Sequence, residues 1–140
     1  MQKYSKKLIA VLNKKVGTAA IMNALAQMVV GLVASIENKD ELRLIDYVDA
    51  DSNSHANISE LPFIILKAEN SNQLRTLRNM LKEKDIQFVD FPNFIKSIGT
   101  FEDPEKSRET KEKDIEYYGI VMFGDWDIVT NITKKFSLWS

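Results

Sequence analysis

The 140-residue chain predicts an α/β fold: a three-layer α/β/α sandwich around a mixed sheet of about four to five strands. Three observations lead there. Leu8–Leu12, Phe63–Leu66 and Gly119–Phe123 are short continuous apolar runs, the pattern of strands covered on both faces. Leu74, Leu77 and Leu81 form one stripe at helical spacing. Strands alternating with helices in this way put helices on both faces of a sheet. No internal repeat is visible, and the chain is too short for a (β/α)8 barrel. A single domain over 1–140 is expected.

The first strand, Leu8 to Leu12, ends at Asn13, and the KKVG loop leads into a helix from Thr18 to about Ile36. Val16 to Ile36 contains no Asp, Glu, Lys or Arg, and about 20 apolar residues suffice to cross a bilayer. Its polar residues argue for burial instead. Asn23 and Gln27 share one helical face, Thr18 and Ser35 add hydroxyls, and there is no second long apolar run to partner it in lipid. The basic start MQKYSKK resembles a signal n-region, but LIAVL is short and Lys14 and Lys15 interrupt it. A cytoplasmic chain with no membrane partner is the expectation. Gly31 weakens the helix modestly.

Leu42–Asp49 reads as the second strand, and DADSNSHANIS as a turn-rich connection whose Asp, Ser and Asn bond their own backbone. Phe63–Leu66 follows Pro62 as the third strand. Asn70 or Ser71 caps the Leu-patterned helix. Ile86–Phe91 is the fourth strand and stops at Pro92. Glu102–Glu116 holds seven acids and four bases. Such a run reads as a solvated helix or insertion at about 101–116, with an interaction surface as the alternative. After the last strand, Asp125 or Asp127 caps a short helix carrying Ile128, Val129 and Ile132, and the FSLW end docks on the body.

Composition excludes several chemistries. There is no cysteine, which removes disulfides and thiolates. With a single histidine as well, a zinc site of the usual kind has no ligands, and no metal or cofactor is expected. The Walker and dinucleotide glycine loops are absent, as is the G-x-S-x-G elbow. Charge is segregated: residues 1–36 carry Lys3, Lys6, Lys7, Lys14 and Lys15 and no acid. That makes a local basic patch rather than a wholly basic surface.

The best candidate site is the turn into the first helix. A helix beginning near Gly17 or Thr18 offers unpaired N–H groups and a dipole that favours an anion. Lys14 and Lys15 precede it, Gly17 allows close approach, and Thr18 adds a hydroxyl. A small anionic ligand is the expected partner. In open α/β sheets ligands collect at the carboxyl ends of the strands. If the first and fourth strands are parallel neighbours, Asp90, Gly99 and Thr100 converge on the same helix N-terminus, with Asp90 as base, anchor or turn cap. His55, near Asp49 and Asp51, reads as a loop histidine making a local bond.

KLIAVLNKKVGTAAIMNALAQ, Lys7 to Gln27, resembles the type II peptidyl-tRNA hydrolases in its strand, loop, glycine and Ala/Gln-rich helix. FIILKAENSNQLRTLRNMLKEKDIQFVDF, Gly99-Thr100 and ITKKFSLW are similar to later parts of that family. The Asn23-Ala24 pair and the layout look more like a bacterial domain-of-unknown-function family of the same superfamily. The resemblance implies a peptidyl-tRNA hydrolase II-like α/β sandwich, often a homodimer, with Asp90 and Thr100 as catalytic candidates. Lys14, Lys15, Gly17, Thr18, Asn23 and Gly99 are the ligand-binding candidates. The chain departs from the hydrolases where they carry their catalytic lysine, for which it has Thr18, and where they carry a helix histidine, near Leu25. FPNF follows Asp90 in place of Ala-Gly-x-Thr. Without the lysine, binding of an anion or partner ranks first. Hydrolysis of an ester or amide, with tRNA as the implied substrate carrier, is the alternative, and an interaction protein using the insertion comes third.

Overall fold

A computed structural model describes residues 3–94 and 104–140. Its strands are β1 (Lys6–Asn13), β2 (Leu44–Val48), β3 (Ser54–Ser59), β4 (Phe63–Ala68), β5 (Gln87–Pro92), β6 (Tyr117–Asp125) and β7 (Ser137–Leu138). Its α-helices are α1 (Thr18–Ser35), α2 (Ser71–Glu83), α3 (Pro104–Glu109) and α4 (Trp126–Thr133). Five strands form one mixed sheet in the order β5-β6-β1-β4-β7, and β2 and β3 form a separate two-stranded sheet.

The two most apolar strands take the centre, as runs buried on both faces require. β1 pairs parallel with β4, from Leu8 opposite Phe63 to Asn13 opposite Ala68, and antiparallel with β6. Alternate residues then serve two cores. Leu8, Ala10 and Leu12 of β1, with Val121 and Phe123 of β6, pack under Ile21, Ala24, Met28 and Leu32 of α1. Ile9 and Val11, with Ile120 and Met122, pack under Leu74, Leu77 and Leu81 of α2 and Val129 and Ile132 of α4. Helices therefore cover both faces. α1 is long and apolar enough to cross a membrane by length and composition; in the fold one of its faces lies on the sheet.

Gly119 is where α1 meets the sheet most closely. A Cβ there would stand 2.7 Å from Leu12 Cδ2 and 3.1 Å from both Met28 Cε and the Val11 carbonyl oxygen. The helix ends are set by local bonds. Asn70 Oδ1 accepts from the Gln73 N–H at 3.0 Å and caps α2, and Asp125 Oδ1 accepts from the Ile128 N–H at 3.1 Å and caps α4. At the C-terminus of α1, Lys39 Nζ donates to the carbonyls of Val33 at 2.6 Å and Ala34 at 3.4 Å, and to that of Ile36, a cation where the dipole favours one.

Two expectations need correction. The turn-rich DADSNSHANIS segment contains β3, whose polar Ser54–Ser59 pairs antiparallel with β2. Turn-forming residue types were the wrong guide there, because neither face of this hairpin is covered by the body and its strands need no apolar residues. The first and fourth expected strands, β1 and β5, run in the same direction but are not neighbours, since β6 lies between them. The charged insertion is helical at α3 and has a 3-10 turn at Glu112–Asp114. Residues 101–103 lie outside the described residues.

Candidate functional site

The turn from β1 into α1 is built on a buried asparagine. Asn13, 6% exposed, donates from Nδ2 to the Tyr117 carbonyl at 3.0 Å and accepts at Oδ1 from the Lys15 N–H at 3.0 Å. The Lys14 N–H bonds the Ala68 carbonyl at 3.0 Å, and the Val16 N–H bonds that of Asn13 at 3.2 Å. This side-chain-to-backbone turn stops β1 and aims the chain into the helix. Lys14 and Lys15 are both left exposed.

Gly17 is the N-cap of α1, at φ −59° and ψ 147°, with no side-chain cap and no acid in the first turn. A Cβ at Gly17 would meet nothing within 4 Å. The first intrahelical bond runs from the Ile21 N–H to the Gly17 carbonyl. The N–H groups of Thr18, Ala19 and Ala20 thus have no partner among the described residues, as the geometry of a helix start dictates. α2 and α4, by contrast, are both capped by side chains.

Lys14 Nζ forms an ion pair with Glu69, just past the end of β4. The ammonium bonded to this carboxylate holds Glu69 below the usual carboxylate range, against a smaller opposing effect of burial. Sequence reasoning missed Glu69. The parallel register of β1 and β4 brings it there: Asn13 is opposite Ala68, so the next residue of each strand meets beyond the sheet edge.

Asp90 is elsewhere. Its neighbours across the sheet, Ile120 and then Val11, belong to the face covered by α2, whereas α1 lies on the other face. Its Oδ2 accepts from Arg78 Nε of α2 at 3.0 Å, both side chains being about three-quarters buried. The structure therefore does not bring Asp90 to Gly17 and Thr18. Gly99 and Thr100 lie outside the described residues. Asn23, in the second turn of α1, has a buried Nδ2 without a hydrogen-bond partner.

A second polar cluster was not foreseen. Tyr117 OH donates to Glu112 Oε2 at 2.8 Å, and Arg75 Nε donates to the same oxygen at 2.8 Å. Arg75 also donates to the carbonyls of Glu112 at 3.1 Å and Ile115 at 2.5 Å. Arg75 thereby fastens the end of the charged insertion to α2. Burial, with the bond to Glu112, raises the Tyr117 phenol well above its ordinary range. His55 makes the local bond expected of it: Nε2 lies 2.8 Å from Asp49 Oδ2, and the ring stacks on Tyr47 at 4.8 Å. Among the described residues no three His, Cys, Asp or Glu side chains group as metal ligands.

A family model described as Protein of unknown function (DUF2000) matches residues 6–140. No curated protein matches the chain. The solved structure of a protein of unknown function from Agrobacterium tumefaciens strain C58 is similar, with TM-score 0.81 at 20% identity, over 98% of this chain and 99% of that one. At that identity the likeness carries the fold alone. Neither finding links the chain to the type II peptidyl-tRNA hydrolases.

Proposed function

Because the chain belongs to the DUF2000 family, whose description names no activity, we propose a function from its own geometry: it binds a small anionic group at the N-terminus of α1. The observation that carries this is the uncapped start of α1. Three N–H groups point out of an 18-residue helix with open space over Gly17. Lys14 and Lys15 stand in the turn before it, and Thr18 supplies a hydroxyl at its first position. The helix end and its dipole contribute about 0.3–1 kcal/mol to a nearby anion, and the lysines add charge that salt screens. Glu69 opposes this by holding Lys14, so the site discriminates by charge and is tuned by that carboxylate.

The same reading takes the chain as a peptidyl-tRNA hydrolase II-like domain with Thr18 at the lysine position, which rests on the Lys7–Gln27 pattern. The hydrolase alternative has lost its geometric premise, since Asp90 is paired with Arg78 on the other face of the sheet. Titration of inorganic phosphate into the 15N-labelled chain tests the binding reading. Saturable amide shifts at Gly17–Ala20 are expected, and they should weaken with added salt and in the Lys14→Ala/Lys15→Ala variant. Equal affinity in the variant and the native chain overturns it. N-acyl-aminoacyl-tRNA should be left intact.

A further inference from the structure

Between the start of β1 and the turn before β2 lies a cavity of about 270 Å³, walled by Lys3, Tyr4, Lys6, Glu41 and Arg43, with the buried Leu61 also lining it. Backbone bonds hold these walls in place. The Ser5 carbonyl accepts from the Trp126 N–H at 2.8 Å, and the Arg43 carbonyl accepts from the Glu60 N–H at 2.9 Å. The cavity sits at the opposite end of β1 from Gly17, and an eight-residue strand spans roughly 25 Å.

Its lining is cationic. Lys6 Nζ pairs with Glu41 at 2.5 Å, and Arg43 pairs loosely with Glu60 at 3.3 Å. Lys3 has no carboxylate partner among the described residues, so three bases meet two acids and one positive charge is left over. Lys3 Nζ and Arg43 Cζ stand 5.3 and 5.5 Å from the centroid of the same Tyr4 ring, which gathers both cations around one side chain. The backbone adds a second sign. Arg43 lies at φ 53° and ψ 51°, the left-handed region that glycine adopts freely and an arginine does not. A helix end of this conformation ordinarily carries Gly or Asn. An arginine held there points to a role for its side chain.

From the cavity, its charge and the left-handed arginine we infer that this is a binding site for a small diphosphate, two linked anionic groups, with Arg43 gripping one and Lys3 and Lys6 the other. The size fits. The volume equals about nine waters at roughly 30 Å³ each, and pyrophosphate has about that many heavy atoms. Pockets for drug-sized ligands are larger and mainly apolar; a small charged lining selects a small charged ligand. The planar guanidinium matches phosphate oxygens two at a time, while each ammonium acts as a point charge. Glu41 and Glu60 position Lys6 and Arg43 and compete with the ligand, so an anion of low charge displaces them poorly.

Titration of pyrophosphate into the 15N-labelled chain is the test. Saturable amide shifts are expected at residues 4–6 and 41–43, with orthophosphate at least about fivefold weaker at the same amides. Arg43→Gly suits the left-handed backbone, so it removes the guanidinium without disturbing the fold. Its Tm should hold or rise while pyrophosphate affinity falls at least about tenfold. The Lys14→Ala/Lys15→Ala variant should keep these shifts in full, so this site and the one at Gly17 stand or fall separately. No saturable shift at these amides up to ~10 mM pyrophosphate overturns the proposal. So does an Arg43→Gly chain that binds as tightly as the native one, or orthophosphate that binds there equally well.

Discussion

Gly17→Asp separates stability from binding at one residue. The native backbone there, φ −59° and ψ 147°, is open to any residue, and a Cβ meets nothing within 4 Å. An aspartate at this position accepts from the N–H of Ala19 or Ala20 and so supplies the cap that α1 lacks. Over glycine the cap adds a few tenths of a kcal/mol. The dipole adds about 0.3–1 kcal/mol for a carboxylate, and the lost freedom of the unfolded glycine adds about 0.4–1 kcal/mol. Allowing for overlap, a gain of about 1 kcal/mol is expected, which raises Tm by roughly 3–4 °C in a domain of this size. The same carboxylate occupies the donors that would hold an anion. It also repels that anion by about 1 kcal/mol at 4 Å even in full water screening. Phosphate affinity should therefore fall at least fivefold while thermal stability rises. Gly17→Ser should gain less stability and lose less affinity. A raised Tm with unchanged phosphate affinity would refute the site, and an unchanged Tm would refute the open helix start from which it is argued.

Other outcomes follow from the same geometry. Gly119→Ala should cost about 1–3 kcal/mol in urea unfolding with an unchanged m-value, because the Val11 carbonyl at 3.1 Å cannot move aside as the Leu12 and Met28 side chains can. Phosphate affinity should rise only as pH falls below the ordinary carboxylate range: there Glu69, held down by Lys14, becomes neutral and frees the ammonium. Glu69→Gln should show the higher affinity already at pH 7 and abolish that pH dependence. Tyr117 is protonated more tightly in the folded than in the unfolded chain. Its contribution is therefore complete below the ordinary tyrosine range and is lost as pH rises from there towards the folded value. Tyr117→Phe should flatten the alkaline limb of a stability-against-pH curve. A limb unchanged by this substitution would mean that the Glu112 bond does not persist in solution.

Most of the secondary structure was legible because its signals are local. The apolar runs of β1, β4 and β6, the leucine stripe of α2 and the caps at Asn70 and Asp125 all act within a few residues. Ser54–Ser59 was not legible as β3, because its polar residues follow from an arm whose faces the body leaves open. Strand order was the larger gap. Nothing in IQFVDF says whether it lies next to β1 or beyond β6, and on that choice turned the expected meeting of Asp90 with Gly17. Arg78 could have been suspected, since a partly buried carboxylate on a strand needs a cation from a covering helix. Lys14 and Lys15 were found as a basic pair, but Glu69 needs the parallel register of β1 and β4, which no local pattern encodes.

The place of β6 has a consequence for the order in which the molecule can be assembled. Its residues, 117–125, come late in the chain, yet they lie between β5 and β1 and contribute to both cores. On the ribosome, β1, α1 and β4 can meet while the rest is still being made. β5 must wait without a strand partner until about thirty more residues have been synthesised, on the order of a few seconds at ordinary elongation rates. During that interval the sheet has an open edge at β1 and α1 covers only part of its intended floor. Closure then comes in one late step, when a strand from the last quarter of the chain slots into the middle. Such distant pairing is slow and leaves sticky edges exposed meanwhile. A nascent chain halted before Asp125 should thus be sensitive to protease in its first half as well as its last.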